Sequence, residues 1–321
     1  MADIQVGEAA TTGLRLIGRR PLSVLTWGVL ASAYVTLILV LFGGGVAVAI
    51  ASMAHAGASP SGEQVFGVIG SALGAVGLLV IGLIFIGAMI QGAVFRSELE
   101  PERSAFAFLR LGGQELWLIG VNFVLGFLMW IVQMVLSIPL AIIGVGMGMA
   151  GGAAVTSGHH DPGAFVGAMA GMFGLRMIGQ LLIIAVTIWL WLRFSMGAVM
   201  SFRERQFRLF ESWNLTKGHA GQIFLTMLLV WLIMLLVYAV AWTIVGVTAG
   251  VTVFANRDLS TADALNALTA AGWISRLTPL IGVFSVVLVA LVGIGNAMTW
   301  GAVAHIYRQL RPPTEVASTF A

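Results

Sequence analysis

Six apolar stretches, at residues 22–52, 65–95, 115–150, 165–200, 222–254 and 274–306, each run for more than thirty residues with almost no charge inside them. About 20 apolar residues in an α-helix cross a hydrocarbon core of roughly 30 Å. Such a core offers no water to unpaired backbone groups, so each stretch is expected as a helix. Composition points the same way. Of 321 residues, 59% are hydrophobic and 9% are charged, where soluble domains carry about 25% charged residues. The expected fold class is therefore an all-α integral membrane protein with six transmembrane helices, forming a single membrane domain over 1–321 with a short polar C-terminal tail at 309–321. The surplus length must tilt, project beyond the bilayer, or break at Gly43-Gly44-Gly45 or Pro139.

Basic residues set the expected orientation. Arg15, Arg19, Arg20, Arg96, Arg103, Arg110, Arg193, Arg203, Arg205, Arg208, Lys217, Arg308 and Arg311 fall on one side, and Arg176, Arg257 and Arg276 on the other. Thirteen against three places both termini in the cytoplasm by the positive-inside rule. The run after Arg15, Arg19 and Arg20 is far longer than a signal-peptide h-region, so the first span is expected to remain as an anchor. A formal charge of only +3, spent beside apolar spans, argues against nucleic acid as a partner.

A repeat is expected beneath the hydropathy. Each even-numbered span ends in Gly-Ala-Val, at residues 92–94, 197–199 and 301–303, with an arginine shortly after at Arg96, Arg203 and Arg308. Recurring lead-in segments precede the odd-numbered spans: Leu14-Arg15-Leu16-Ile17-Gly18, Leu109-Arg110-Leu111-Gly112-Gly113, and Trp213-Asn214-Leu215-Thr216-Lys217-Gly218. The spacing predicts three units, at about 8–96, 101–203 and 205–308, each a cytoplasmic amphipathic helix followed by a transmembrane hairpin. Phe207, Phe210 and Trp213, spaced three apart between Arg205, Arg208 and Glu211, suit a helix lying in the headgroup plane. Phe106 and Leu109 set against Arg103 and Arg110 suggest the same in the middle unit.

The segments around Gly18-Arg19-Arg20-Pro21 and Ser212-Trp213-Asn214-Leu215-Thr216-Lys217-Gly218-His219, each feeding a long apolar span, resemble the membrane domain of bacterial glycerophosphoryl diester phosphodiesterases and inner-membrane proteins of the YciC type. The resemblance implies a multi-pass protein of the bacterial inner membrane. It carries no catalytic residue across, and no stretch outside the spans is long enough to fold as the soluble phosphodiesterase domain.

Small-residue pairs four apart let helices approach closely in lipid. They occur at Gly70/Gly74, Gly144/Gly148, Gly148/Gly152, Gly167/Gly171 and Gly246/Gly250, all toward the outer ends of the spans. Much of the bulk, including Trp27, Trp117, Trp130, Trp189, Trp191, Trp231 and Trp300, lies toward the inner ends. The expected bundle is pinched at the outer face and splayed at the inner one. The same glycine faces leave room for a homo-oligomer or a membrane-protein partner.

Chemistry at membrane depth is sparse. The carboxylates, Glu115 among them, lie outside the spans or at their edges, which argues against a carrier built on a buried acid. Arg193, within Trp189-Leu190-Trp191-Leu192-Arg193-Phe194, is a candidate for a lipid phosphate or for snorkelling to the headgroups. Arg19, Arg20, Arg110 and Lys217 are candidates for headgroup or anion binding on the same side. Asn122, Gln133, Gln180 and Asn296 are expected to hydrogen-bond between helices, and His305 is expected as an interfacial side chain. His159-His160-Asp161 and His55 do not compose a tetrahedral metal site. With no cysteine, thiolate metal sites and cysteine nucleophiles are excluded. No cofactor is expected, and the expected role is non-enzymatic: interaction with membrane lipids or membrane partners at the cytoplasmic leaflet. A transporter or channel for a lipid or small molecule is the alternative.

Overall fold

The computed structural model describes residues 4–43, 62–102, 106–156, 162–255 and 271–311. Among them there is helix and turn but no strand. The helices are α1 (Val6–Arg19), α2 (Pro21–Ile38), α3 (Gly62–Leu99), α4 (Gly113–Thr156), α5 (Pro162–Phe194), α6 (Gly197–Glu204), α7 (Ser212–Leu215), α8 (Ala220–Ala255) and α9 (Ala271–Leu310). Six helical stretches are long and apolar enough to cross a membrane, and they coincide with the six expected. The 33 residues of α5, the shortest of the five longest helices, extend about 50 Å at 1.5 Å per residue. Each of these helices is thus longer than the roughly 30 Å hydrocarbon core. No break occurs at Pro139, through which α4 runs continuously. Instead α2 loosens into a π-helical turn over Leu39–Gly43. His55, Arg103, His159, His160, Asp161, Arg257, Asp258 and Asp263, with Gly44 and Gly45, lie outside the described residues.

The chain divides into two compact units, one made of 1–119 with 222–321 and the other of 120–221. The divisions fall near the starts of α4 and α8.

In the first unit, α1 is a true amphipathic helix. Ala9, Ala10, Thr12, Gly13 and Leu16 form its buried face, Glu8 sits in its first turn and Arg19 in its last, both favourable to the helix dipole. It ends because Pro21 disfavours helical geometry at Arg20, whose φ is −140°. Pro21 then opens α2, a position that needs no N–H.

The buried face of α1 packs on α9. A Cβ at Gly13 would overlap the Cα of Met298, and one at Gly301 would stand 3.4 Å from the Cα of Gly13. Likewise α2 meets α9 at Gly28, where a side chain would run into the carbonyl of Val289, and at Gly293, where it would run into that of Val24. Tyr34 donates its hydroxyl to the carbonyl of Leu78 on α3, and the hydroxyl end of its ring occupies the space a side chain at Gly82 would need. These are the close approaches that small residues permit between helices in lipid.

They are not the glycines expected from the four-residue spacing. A Cβ added at Gly70, Gly74, Gly144, Gly167, Gly246 or Gly250 would meet nothing within 4 Å. Gly148 and Gly171 lie on the same helices as Gly144 and Gly167. The expected pinch at the outer face is therefore corrected in the first unit. There the fully buried large side chains, including Leu16, Trp27, Ile90, Phe95, Leu118, Met298 and Ile306, cluster at the arginine-bearing ends of the helices. Spacing of glycines shows that a helix can be approached, but bulk elsewhere on its neighbours decides where the approach happens.

In the second unit, Leu140 of α4 fits against Gly179 of α5. The expected fourth span ending at Met200 is interrupted: α5 stops at Phe194, turns at Ser195 and Met196, and resumes as α6.

Candidate functional site

The arginine-bearing end of the first unit is built around a strap, Phe106–Leu109. An amphipathic helix was expected here. Only one 3-10 turn, Phe106–Phe108, forms, and Ala107 and Phe108 both adopt left-handed backbone, at φ 50° and 58°. That conformation costs an L-residue about 1–2 kcal/mol, so other contacts must hold it. The Trp27 indole N–H donates to the carbonyl of Ala107 at 2.9 Å. Arg96 donates to the carbonyl of Phe108. The Arg20 guanidinium lies 4.3 Å from the centroid of the Phe108 ring, a cation–π geometry.

Arg96 also pairs with Glu115 of α4, and the side chains of both are 3% exposed or less. The second Glu115 oxygen accepts the Gly112 N–H at 2.9 Å, in the first turn of α4, where a carboxylate also suits the helix dipole. Sequence reading placed Arg96 and Glu115 at the right end of their helices but missed their pairing. The available signal was the pair of opposite charges flanking one short connection.

Around Glu98, near the end of α3, the charges of Arg308, Arg19, Arg20 and Arg15 converge. The Arg308 guanidinium stands 4.0 Å from the Glu98 carboxylate and remains half exposed. Arg19 is exposed, and Arg20 buries one guanidinium nitrogen, Nη1, without a hydrogen-bond partner. Arg15 donates to the backbone carbonyl of Glu8 at 2.7 Å, leaving its charge uncompensated by that bond. His305 lies 4.0 Å from the Glu8 carboxylate and 3.2 Å from the Gln309 amide, so it is part of this surface rather than isolated. Arg19 and Arg20 are thus brought together, while Arg110 is exposed on the strap side of the same unit.

The second unit treats Arg193 differently. Its guanidinium lies 5.3 Å from the Trp213 ring and 5.9 Å from the Trp189 ring, and donates to the carbonyl of Thr216 at 3.3 Å. The Arg193 carbonyl in turn accepts the Ser212 hydroxyl at 2.8 Å. Residues 205–211 are turn and irregular backbone rather than the expected helix, and only Ser212–Leu215 is helical. The three-residue aromatic spacing has another use: Phe210 and Trp213 both pack on Phe194, and Phe207 on Phe210. Nearby Arg208 pairs with Glu204 at 2.9 Å and with Glu211, whose hydrogen bond raises the Arg208 pKa above its ordinary value. Lys217 is exposed.

Among the described residues, three of the four mid-span polar residues show no bond to another helix. Asn296 donates to the Val292 carbonyl of its own helix at 2.9 Å, and Gln133 and Gln180 are exposed on theirs. Among the described residues no group of three histidine or acidic side chains is arranged for a metal ion.

All three Gly-Ala-Val segments are buried. A Cβ at Gly92 would stand 2.9 Å from Glu115, one at Gly197 2.8 Å from Leu209, and one at Gly301 3.4 Å from Gly13. The first of these glycines therefore faces the start of the helix after the second lead-in, the second faces Leu209 in the turns before the third lead-in, and the third faces Gly13, next to the first lead-in. Compared with family models, curated proteins and solved structures, the chain matches none.

Proposed function

We propose that this chain is a non-enzymatic, multi-pass protein of the bacterial inner membrane, akin to the YciC type, with its arginine-bearing ends in the cytoplasm. Those ends hold anionic lipid headgroups of the inner leaflet. The observation that carries the reading is the gathering of Arg15, Arg19, Arg20 and Arg308 about the carboxylate of Glu98; with Glu8 as the other acid beside them, four guanidinium groups face two carboxylates, which leaves excess positive charge beside the spans. Guanidinium forks suit phosphate, and clustered basic residues at a membrane face attract anionic lipid.

Three repeated hairpin units are part of the proposal. The buried Gly-Ala-Val segments support it: the first packs on Glu115 just after the second lead-in, the second on Leu209 a few residues before the third, and the third on Gly13 just before the first. Arg193 has a smaller share in headgroup binding than its sequence setting implied, because two tryptophans and a backbone carbonyl engage it.

Native mass spectrometry of the delipidated protein titrated with phosphatidylglycerol tests the reading. Substituting Arg15, Arg19 and Arg308 together by Gln is expected to weaken retention at least roughly tenfold, the equivalent of about 1.4 kcal/mol. Unchanged retention overturns it. The chain has no cysteine, so a single Cys placed at Glu102 reports orientation directly, and its labelling from the periplasm overturns the topology.

A further inference from the structure

Within the second unit, α4 and α5 enclose a groove of about 550 Å³ that plays no part in the basic end. Its lining comes from two stripes at helical spacing. Ser137, Leu140 and Gly144 lie on α4, and Phe173, Arg176 and Gln180 on α5. Leu140 seated against Gly179 closes its floor. The volume is in the range of small-molecule sites, roughly 300–1,000 Å³, and such sites combine apolar walls with a few convergent polar groups.

Arg176 is the feature that calls for an occupant. Apart from Arg193 at the far end of α5, it is the one charged residue in α5, and α4 carries only Glu115. Among the described residues it has no ion pair or hydrogen bond. Gln180 is one turn away on the same face. Seventeen residues separate Arg176 from Arg193, about 25 Å along the helix, close to the roughly 30 Å thickness of the hydrocarbon core. With Arg193 at one membrane surface, Arg176 therefore stands at the other. A guanidinium at that depth with an apolar groove beside it complements one kind of molecule: a headgroup phosphate on an acyl chain.

We propose that this groove is a phospholipid site of the leaflet opposite the one at which Arg193 lies. Arg176 holds the phosphate bidentately, Gln180 bonds the glycerol ester region, and one acyl chain lies along Leu140, Gly144 and Phe173 toward the floor. Basic pockets between membrane helices bind anionic headgroups in this way.

The test uses the full-length protein in vesicles of phosphatidylethanolamine and phosphatidylglycerol containing a phosphatidylglycerol with a photoreactive diazirine in one acyl chain. Adducts are mapped by peptide mass spectrometry. In the wild type they concentrate on residues 137–145 and 173–183. Arg176→Gln lowers them roughly tenfold, the scale of one lost charge-assisted contact. Gly144→Phe abolishes them; a Cβ at Gly144 meets nothing within 4 Å, so the ring has open space to enter, and thermal unfolding unchanged from the wild type checks that the fold is kept. A diacylglycerol carrying the same diazirine chain labels the groove weakly. Adducts spread evenly over the spans, equal labelling by the diacylglycerol, or labelling unchanged in Arg176→Gln each overturns the proposal. The triple substitution of Arg15, Arg19 and Arg308 leaves groove labelling unchanged, so this site and the basic end stand or fall separately.

Discussion

Arg96 in the first unit and Arg193 in the second occupy similar positions, each at the end of a long helix and each donating to a carbonyl of the segment that follows. Their surroundings differ in one group. Arg96 meets the buried carboxylate of Glu115, whereas among the described residues Arg193 meets no acid and lies against two indole rings. A carboxylate within reach commits the cation to the fold. Aromatic faces leave it charged and only partly covered. The first unit is thus locked at its strap by electrostatics, and its exposed arginines, Arg19 and the loosely paired Arg308, are peripheral. The second is held by ring packing.

This difference predicts a large asymmetry in stability. Glu115→Leu or Arg96→Met each leaves a buried charge without its partner, and each is expected to cost about 3–5 kcal/mol. The double variant is expected to recover most of that, since replacing a buried pair by apolar groups is often neutral. Thermal unfolding in detergent measures all three. A double variant no more stable than either single one breaks the claim that the pair, rather than each side chain alone, locks the strap.

Gly28→Leu is next in size. Its side chain would meet the backbone of Val289, which cannot turn aside, and overpacking of this kind costs about 1–3 kcal/mol or more. Gly70→Leu serves as the contrast, because nothing lies within 4 Å of its Cβ, and unfolding is expected to be unchanged within about 0.5 kcal/mol, the usual range of surface substitutions. Equal effects at the two glycines would remove the distinction between contact and open faces. Smaller again is Arg193→Met. It forfeits one hydrogen bond and two cation–π contacts without orphaning an acid, for about 1–2 kcal/mol. A loss as large as that of Arg96→Met would show that the two arginines are locked alike.

The same contrast separates what the sequence disclosed from what it concealed. Hydropathy decides which solvent surrounds a segment, so the six spanning helices were legible from the apolar runs alone. The amphipathic face of α1 was foreshadowed by local pattern too, whereas the Gly-Ala-Val segments suggested a repeat and not their burial. Contacts across long separations left no such trace. Trp27 and Ala107 are 80 residues apart, and nothing in either neighbourhood marks the partner. Spaced glycines misled for a related reason: the four-residue interval describes one helix, while Gly13, Gly28 and Gly293 are close because of what Met298, Val289 and Val24 present opposite them. The aromatic spacing at Phe207, Phe210 and Trp213 was likewise read as a helix face when it forms a patch gathered on Phe194.

The least disruptive change probes the strap itself. Ala107 holds φ at 50° with its carbonyl bonded to Trp27. Glycine reaches that conformation without the Cβ penalty of about 1–2 kcal/mol, although it also adds unfolded-state entropy. Ala107→Gly should therefore raise stability slightly, by up to about 1 kcal/mol, while Trp27→Phe, which removes the indole donor, lowers it by roughly 1 kcal/mol. If the strap is pinned as described, adding Ala107→Gly to Trp27→Phe restores part of the loss, since a backbone relieved of strain needs less restraint. Destabilisation by Ala107→Gly would instead mean that the left-handed turn is not what Trp27 and Arg96 are holding, and the lock in the first unit would reduce to the Glu115 pair.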